Sequence, residues 1–415
     1  MNQQVLKVVH FSDLHFGSGE RYGTINSETG INKRFEDFMA ALDKPIDFAI
    51  SNNVDLVIFT GDTYKHATPE PIYQKEFAKR IQKLSKNNIL TLMLVGNHDV
   101  LYRVDGSNAL DIFTALDVNH VKVLSKISLN TYETNGKKLQ VIALPHITKS
   151  KLLTKEDYRA LSSSKQDDLL VTKVKESISG YIEQLDSNLP SILIGHGTLE
   201  NASFGSEQDI SIGKVLCYPI SFFQNQNLDY VGFGHIHKYQ ILQEKSPLIL
   251  YAGSLERVDF GEEKEDKGFI YFELSRGNIS NYQYISTKPR PFLTIEVDTT
   301  LEAENNNIQK QIQDEIKKKT IKDSIIRLRF KIDESNLDLV DFNALKLLLK
   351  DSFSHVIQPE VVRKNRTYRM EELNTSIISD PILALDKYLY DKDEKEKEAL
   401  IMKAKNLLRE VNENN

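Results

Sequence analysis

The sequence predicts an α/β fold for residues 1–287, and three observations support this prediction. Short apolar runs, rich in β-branched residues, alternate with segments whose apolar residues recur at helical spacing. Each run ends at Gly, Asp, Pro or His, where a strand commonly gives way to a turn. The runs are apolar throughout, as in strands buried on both faces of a sheet. The predicted strands are residues 5–11, 54–59, 89–95, 139–144, 191–194 and 230–233.

Helices are predicted between these strands, at residues 33–52, 71–87 and 172–185. Two further apolar runs, 248–252 and 269–274, follow one another without a helical segment between them. Parallel neighbours need a long crossover, usually a helix, so part of the sheet is predicted to be antiparallel.

A smaller α+β domain is predicted for residues 288–370, because two prolines in residues 288–291 favour an extended linker. Its predicted strands are residues 292–297, 324–331 and 356–362, and its predicted helices are 301–319 and 337–352. Residues 371–415 are predicted to form a helical segment. Between residues 380 and 410 this tail is charged, and its leucines recur at helical steps: Leu383, Leu385, Leu389, Leu400, Leu407 and Leu408.

Composition excludes several classes of protein. The chain has 415 residues, 40% of them hydrophobic and 27% charged, which excludes a disordered or fibrous protein. The single cysteine, Cys217, excludes a disulfide framework and an all-cysteine metal site, and is typical of a reducing cytosol. A net charge of −6 excludes a strongly basic nucleic-acid binder at the level of the whole chain. We find no export signal and no apolar stretch near the ~20 residues that a membrane span needs.

Side chains that can bind metal ions follow five of the predicted strands at their carboxyl ends. In open α/β sheets this edge is where ligands bind. Taken singly, each motif also fits an ordinary turn or cap, but five in this order are poorly explained by turns alone. The motifs are Asp13-Leu14-His15, Gly61-Asp62, Gly96-Asn97-His98-Asp99, Gly195-His196 and Gly234-His235-Ile236-His237.

The chemistry of this set favours a hydrolytic site with two metal ions. Its donors are oxygen and imidazole nitrogen without thiolate, which suits Mn, Fe, Co or Zn. Seven candidate ligands exceed the needs of one tetrahedral ion and fit two ions that share a bridging carboxylate. Two such ions, ~3.5–4 Å apart, can stabilise both the attacking and the leaving oxygen of a phosphoryl displacement.

The ordered set resembles the calcineurin-like metallophosphoesterase superfamily, which implies a β-sandwich flanked by helices. Within it the chain is similar to the SbcD family, the nuclease subunits of bacterial SbcC–SbcD DNA-repair complexes. The resemblance is strong over residues 1–290, and beyond them only size, order and a helical tail match. The narrower motifs are residues 11–17, Gly195-His196 with Gly205-Ser206-Glu207, residues 251–257, Asp259-Phe260-Gly261-Glu262 and Lys267-Gly268-Phe269.

The resemblance assigns a role to each matching residue. Asp13, His15 and His237 would bind one metal ion, and Asn97, His196 and His235 the other. Asp62 would bridge the two ions. His98 would bind neither and would assist the leaving group or stabilise the transition state.

The resemblance also implies an activity and partners. It implies an Mn²⁺-dependent nuclease acting on DNA ends and hairpins in repair, recombination and replication. The implied activities are 3′-to-5′ exonuclease on double strands and endonuclease on single strands. The smaller domain would cap the site, the tail would bind an SbcC-like coiled-coil ATPase, and homodimers are common in the family. The chain has no Gly-x-x-x-x-Gly-Lys-Ser/Thr loop for ATP.

Other interpretations stay open at this stage. The metal motifs alone fit a small-molecule phosphodiesterase or a phosphoprotein phosphatase equally well, and an inert binding scaffold is a further rival.

Several single residues also have two interpretations. Asp99 is interpreted as orienting His98 or as capping a turn, and His66 as contacting substrate or solvent. His10 is predicted to pack in the core, and His120, His146 and His355 to lie on the surface or in loops. The basic segment 363–369 fits phosphate contact or a solvated strand end, and the leucine face of the tail fits a partner helix or its own domain.

Overall fold

A computed structural model describes residues 4–101, 107–148, 152, 161–205, 216–300, 307–362, 381–389 and 393–413. Ser206, Glu207 and the basic segment 363–369 lie outside these residues. The strands are β1 (Leu6–Phe11), β2 (Leu56–Phe59), β3 (Leu90–Leu94), β4 (Val121–Leu124), β5 (Ser128–Thr134), β6 (Lys137–Leu144), β7 (Ser191–His196), β8 (Thr198–Leu199), β9 (Cys217–Tyr218), β10 (Tyr230–Gly234), β11 (Gln240–Gln243), β12 (Leu248–Tyr251), β13 (Gly268–Ser275), β14 (Asn278–Ser286), β15 (Phe292–Asp298), β16 (Ile325–Asp333) and β17 (Ser354–Val362).

The α-helices are α1 (Lys33–Ser51), α2 (Pro71–Lys86), α3 (Asp111–Ala115), α4 (Ser163–Glu183), α5 (Ile308–Lys317), α6 (Phe342–Leu348), α7 (Pro381–Tyr388) and α8 (Glu394–Glu413). Helix α1 begins where the Asn32 side chain accepts a hydrogen bond from the Arg34 amide at 2.8 Å. Its buried residues recur at three- and four-residue steps, so that one face packs on a sheet.

Two six-stranded sheets carry the fold. The first has the order β14-β13-β1-β2-β3-β4, and the second has the order β11-β12-β10-β7-β6-β5. Strands β1 to β4 run parallel, as do β12, β10, β7 and β6. The antiparallel prediction is correct for β13, which runs against β1, whereas β12 is parallel to β10 and antiparallel only to β11.

The two sheets pack face to face and form the core of a sandwich. Val8 and Ile58 of the first sheet belong to the same buried cluster as Val141 and Ile194 of the second. Helices α1 and α2 cover the outer face of the first sheet, and α4 covers that of the second. The predicted α/β sandwich flanked by helices is confirmed.

His10 lies inside this sandwich, and its predicted core position is confirmed. It is fully buried, with Nδ1 2.6 Å from the Tyr230 hydroxyl and Nε2 2.9 Å from Thr60 Oγ1. Burial lowers the pKa of its imidazole to about 3, so it is uncharged at neutral pH.

The chain divides into two compact units. The first comprises Met1–Ile295, Ile316–Leu328 and Lys346–Ile357, and the second comprises Glu296–Glu315, Arg329–Leu345 and Gln358–Asn415. A third sheet has the order β15-β16-β17. Within the first unit, Phe260, Phe292 and Ile325 form a small apolar cluster. Across the described ranges, no helix combines the length and the apolar character needed to cross a bilayer.

Candidate metal centre

The carboxyl ends of five strands meet at one edge of the sandwich. In the order of the chain these are β1, β2, β3, β7 and β10, and a polar side chain follows or ends each of them. Because the neighbouring strands within each sheet are parallel, their polar ends face the same way. The structure brings together all the side chains predicted to bind metal: Asp13, His15, Asp62, Asn97, His196, His235 and His237.

One group of donors contains Asp13, His15 and His237. Their ligand atoms lie within 4.8 Å of one another. His15 Nε2 is 3.0 Å from His237 Nε2 and 4.0 Å from Asp13 Oδ1. All three residues are buried, so a cation here would be largely shielded from water.

A second group contains Asp62, His196 and His235, with Asn97 beside them. Asn97 Oδ1 is 2.9 Å from His196 Nε2 and 3.1 Å from His235 Nδ1. The amide oxygen therefore lies between two imidazole nitrogens, as an oxygen ligand within a metal shell would.

Asp62 stands between the two groups. Its Oδ2 atom is 3.6 Å from His15 Nε2 and 3.4 Å from His196 Nε2. Its Oδ1 atom accepts the backbone amide of His98 at 2.8 Å. The carboxylate is thus placed where a ligand shared by two cations would stand.

The hydrogen bonds of the histidines show that these donors fit cations. His237 Nδ1 donates to the Glu262 carboxylate at 2.6 Å, and His196 Nδ1 donates to the Thr60 carbonyl at 2.6 Å. Each neutral ring then presents a bare lone pair at Nε2. The His196 lone pair faces another acceptor, Asn97 Oδ1, so a cation or a proton is needed between them. The His237 lone pair faces His15 Nε2, where a cation or a proton on His15 meets the same need. A metal ion satisfies this need at both groups.

Asp62 and His196 stabilise each other's charge. Burial opposes charge on Asp62, but the imidazoles of His196 and His98 outweigh it and hold the pKa of Asp62 well below its usual value. Burial likewise opposes charge on His196, and Asp62 outweighs it and raises the pKa of His196 to about 9. Since metal ligands bind in their deprotonated form, a cation entering this site displaces a proton.

The backbone is left-handed at four of the seven positions predicted to bind metal. The φ angles are 50° at Asp13, 48° at His15, 57° at Asp62 and 98° at His235. Such conformations cost ~1–3 kcal/mol each and persist where the surrounding structure fixes them, often at functional sites.

Glycine is required beside the bridging position. A Cβ atom on Gly96 would lie 2.2 Å from Asp62 Oδ1, and one on Gly61 would lie 2.6 Å from His196 Nδ1. The glycines of these two motifs therefore make room for the donors themselves.

His98 lies at the rim of the cluster. Its Nδ1 donates to the Lys65 carbonyl at 2.8 Å, and its ring centroid is 4.8 Å from that of His15. His98 is partly exposed, as is Asn97, whereas the aspartate and histidine donors of the first two groups are buried. With His15 and Asp62 it forms a third group of possible ligands, so geometry alone permits either a metal or a substrate role.

The interpretation that Asp99 orients His98 is wrong. The Asp99 carboxylate instead accepts backbone amides of Asp62, Thr63 and Gly96, each at 3.0 Å. It is fully buried and ties the loop after β3 to the loop after β2. The turn-capping alternative describes the contact with the Gly96 amide, but the other two amides lie more than 30 residues away along the chain.

The remaining histidines differ in exposure. His146, predicted to be a surface or loop residue, lies in a loop but not on the surface. Only 7% of it is exposed, and its amide donates to the Val95 carbonyl. His120 is exposed, and His355 is partly buried in β17. His66 is exposed and near enough to His98 for electrostatic interaction.

Two buried residues behind the cluster were not found as site residues from the sequence. Glu262 accepts a hydrogen bond from His237, and Lys267 lies 3.1 Å from Glu262. Burial opposes charge on Glu262, yet Lys267 and His237 outweigh it and hold the pKa of Glu262 well below its usual value. Both residues lie in motifs that carry the resemblance, which was the available signal.

Comparison with known proteins yields one family model and several relatives. The model, described as calcineurin-like phosphoesterase, matches residues 6–239, more than half of the chain. The DNA double-strand break repair protein Mre11 of Thermoplasma acidophilum is 26% identical over 322 residues, which are 76% of this chain and 73% of that protein.

Two bacterial relatives are named as the SbcD component of the nuclease SbcCD. That of Staphylococcus saprophyticus is 25% identical over 287 residues, covering 68% of this chain and 69% of the relative. That of Escherichia coli K12 is 24% identical over 293 residues and covers 68% of each chain.

Proposed function

We propose that this chain, which belongs to the calcineurin-like phosphoesterase family, is an SbcD-like nuclease that hydrolyses phosphodiester bonds in DNA. The observation that carries the chemistry is the convergence of seven donor side chains from five strand ends around Asp62. The names of the relatives, which are nucleases and a break-repair protein, support DNA as the substrate.

The proposed ligands form two sites. Asp13, His15 and His237 would hold one divalent ion, and Asn97, His196 and His235 the other, with Asp62 shared. An all-oxygen-and-nitrogen donor set suits Mn²⁺, which we propose as the physiological metal. Two such ions supply positive charge where a phosphate must bind, and this charge outweighs that of the two ligand carboxylates.

His98 is the proposed catalytic residue. Its Nδ1 proton is engaged by the Lys65 carbonyl, so Nε2 is the atom that can exchange a proton with substrate. Its partial exposure at the rim lets the ring reach a bound phosphodiester. We assign to His98, in the form protonated at both ring nitrogens, the transfer of its Nε2 proton to the leaving oxygen of the cleaved strand, which leaves a neutral ring with Nδ1–H still on the Lys65 carbonyl.

The choice between DNA and a small phosphodiester is tested with purified protein. With Mn²⁺ we expect the chain, together with its ATPase partner, to shorten linear duplex DNA from its 3′ ends and to cut single-stranded DNA and hairpins. Chelation of the metal should stop the reaction. Cleavage of bis(p-nitrophenyl) phosphate with intact DNA left behind would instead favour the small-molecule phosphodiesterase.

The partner proposal rests on the tail. We propose that the smaller domain caps the site and that α8 binds an SbcC-like coiled-coil ATPase. Leu400 and Leu407 of α8 are 39% and 55% exposed, and seven residues apart they lie on one face of the helix. An exposed apolar pair of this kind fits a partner helix.

We expect the double variant Leu400→Glu, Leu407→Glu to abolish co-purification with the coiled-coil ATPase, because it would place two charges against the apolar surface that the proposed partner presents to α8. The matched control is Lys405→Glu, an exposed residue on the far side of the same helix. Basal nuclease activity should persist in both variants. Unchanged co-purification of the double variant would remove α8 as the binding element.

A further inference from the structure

A buried ion pair lies behind the metal centre. Glu262 ends a one-turn 3-10 helix, Phe260–Glu262, and Lys267 directly precedes β13. Both side chains are fully buried, and Lys267 Nζ is 3.1 Å from Glu262 Oε2. Burying a charge at such a depth is unfavourable unless the charge is paired and hydrogen-bonded, so the pair needs partners that offset this cost.

Both members of the pair form hydrogen bonds with one proposed ligand, His237. Glu262 Oε1 accepts the Nδ1 proton of its ring at 2.6 Å, and Lys267 Nζ donates to its backbone carbonyl at 3.1 Å. The ring and the main chain of one residue are thus held by the two members of one ion pair. Glu262 Oε2 also accepts the Val258 amide, and Lys267 also donates to Glu265, which fixes the pair itself.

This arrangement acts on one group of donors and not on the other. With its proton on Nδ1, His237 presents a bare Nε2 toward His15. A carboxylate on the far ring nitrogen also raises the basicity of the metal-binding nitrogen. His196, in the second group, donates its Nδ1 proton to the neutral Thr60 carbonyl instead. The two groups therefore differ in the charge behind their imidazoles.

We infer that Glu262 and Lys267 are positioning residues that strengthen metal binding selectively at the site formed by Asp13, His15 and His237. The inference rests on the proposed two-metal function of this cluster. It gives the two sites unequal affinities for the same ion. Loss of a partner of this kind typically weakens metal binding about 10–100-fold.

The test is a calorimetric titration of the full chain with Mn²⁺, combined with the metal count per chain. Glu262→Ala should weaken one of the two binding events about 10–100-fold and leave the other unchanged. Lys267→Met, which keeps the length of the side chain, should weaken the same event by a smaller factor. At Mn²⁺ concentrations that fill both sites of the wild type, the Glu262→Ala variant should lack the electron paramagnetic resonance spectrum of two coupled Mn²⁺ ions.

A matched control is available in Asp229→Asn. Asp229 is also a buried carboxylate, paired with Arg276 at 2.6 Å, but it precedes β10 and so lies at the opposite end of that strand from His235. This variant should keep both affinities. Should Glu262→Ala not fold, as judged by circular dichroism and melting, Glu262→Gln and Lys267→Met decide the question.

Each outcome points to a separate conclusion. Two unchanged affinities in the folded Glu262 and Lys267 variants would overturn the inference alone, as would equal weakening of both events. A wild-type chain that does not bind two ions would overturn both the inference and the two-metal proposal. A wild-type chain that binds two ions but does not cleave DNA even together with its ATPase partner would remove the nuclease function, while the titrations would still decide the role of Glu262.

Discussion

His98→Ala is expected to abolish detectable DNA cleavage while the protein still binds two metal ions. The side chain donates from Nδ1 to the Lys65 carbonyl at the partly exposed rim of the cluster, which leaves Nε2 for the proposed contact with substrate. Loss of a general acid typically costs about 10²–10⁴-fold in rate. The measurement pairs the rate of duplex shortening with the metal content per chain by mass spectrometry.

His120→Asn serves as the control for this variant. His120 is exposed and left-handed at φ 61°, a conformation that asparagine tolerates, so folding and cleavage should be unchanged. If His98→Ala lost one of the two ions, His98 would be a ligand together with His15 and Asp62, and its catalytic assignment would fail.

Asp62→Ala is expected to lose both ions and all cleavage. Its carboxylate lies within 3.6 Å of one imidazole in each donor group, so its removal weakens both sites together. Metal content should fall from two ions to below one per chain, and addition of Mn²⁺ should no longer raise the melting temperature. Asp62→Asn removes the charge but keeps a residue that tolerates the left-handed backbone, so comparing it with Asp62→Ala separates the effect of charge from that of backbone conformation.

Asp55→Asn is the matched control for Asp62. Asp55 is buried and paired with Lys137 at 2.8 Å, but it stands directly before β2, whereas Asp62 follows that strand. It should keep two ions and full activity. Two ions retained in Asp62→Ala would contradict the bridging role.

The sequence was sufficient to predict the convergence of the donors. Strands such as β2 and β3 are short and apolar, and Asp62 and Asn97 follow their last residues by three positions, so their polar ends could be located without coordinates. Parallel neighbours then place those ends at one edge. Only the family resemblance implied that two sheets pack face to face, because apolar runs do not reveal which sheet each strand joins.

Contacts between distant segments could not be predicted in this way. For Asp99 the sequence left two local interpretations open, orienting His98 or capping a turn, yet its carboxylate accepts hydrogen bonds from amides of a loop 36 and 37 residues earlier in the chain. His146 was predicted to be a surface or loop residue, and it does lie in a loop, but this loop is buried where its amide donates to the Val95 carbonyl after β3. Neighbouring strands of one sheet make the first contact, and the two facing sheets make the second. In both cases the groups lie far apart along the chain, and the periodicity of the sequence does not reveal such contacts.

The left-handed positions of the site also restrict which substitutions it can accept. Asparagine, aspartate and histidine are the non-glycine residues that adopt this backbone most readily. Two of these, aspartate and histidine, are the types found at Asp13, His15, Asp62 and His235. Selection for ligand chemistry and selection for backbone conformation therefore demand the same few amino acids. A mutant library at these four positions should yield folded protein mainly from Asn, Asp, His and Gly. Few substitutions at these positions would therefore be neutral during evolution.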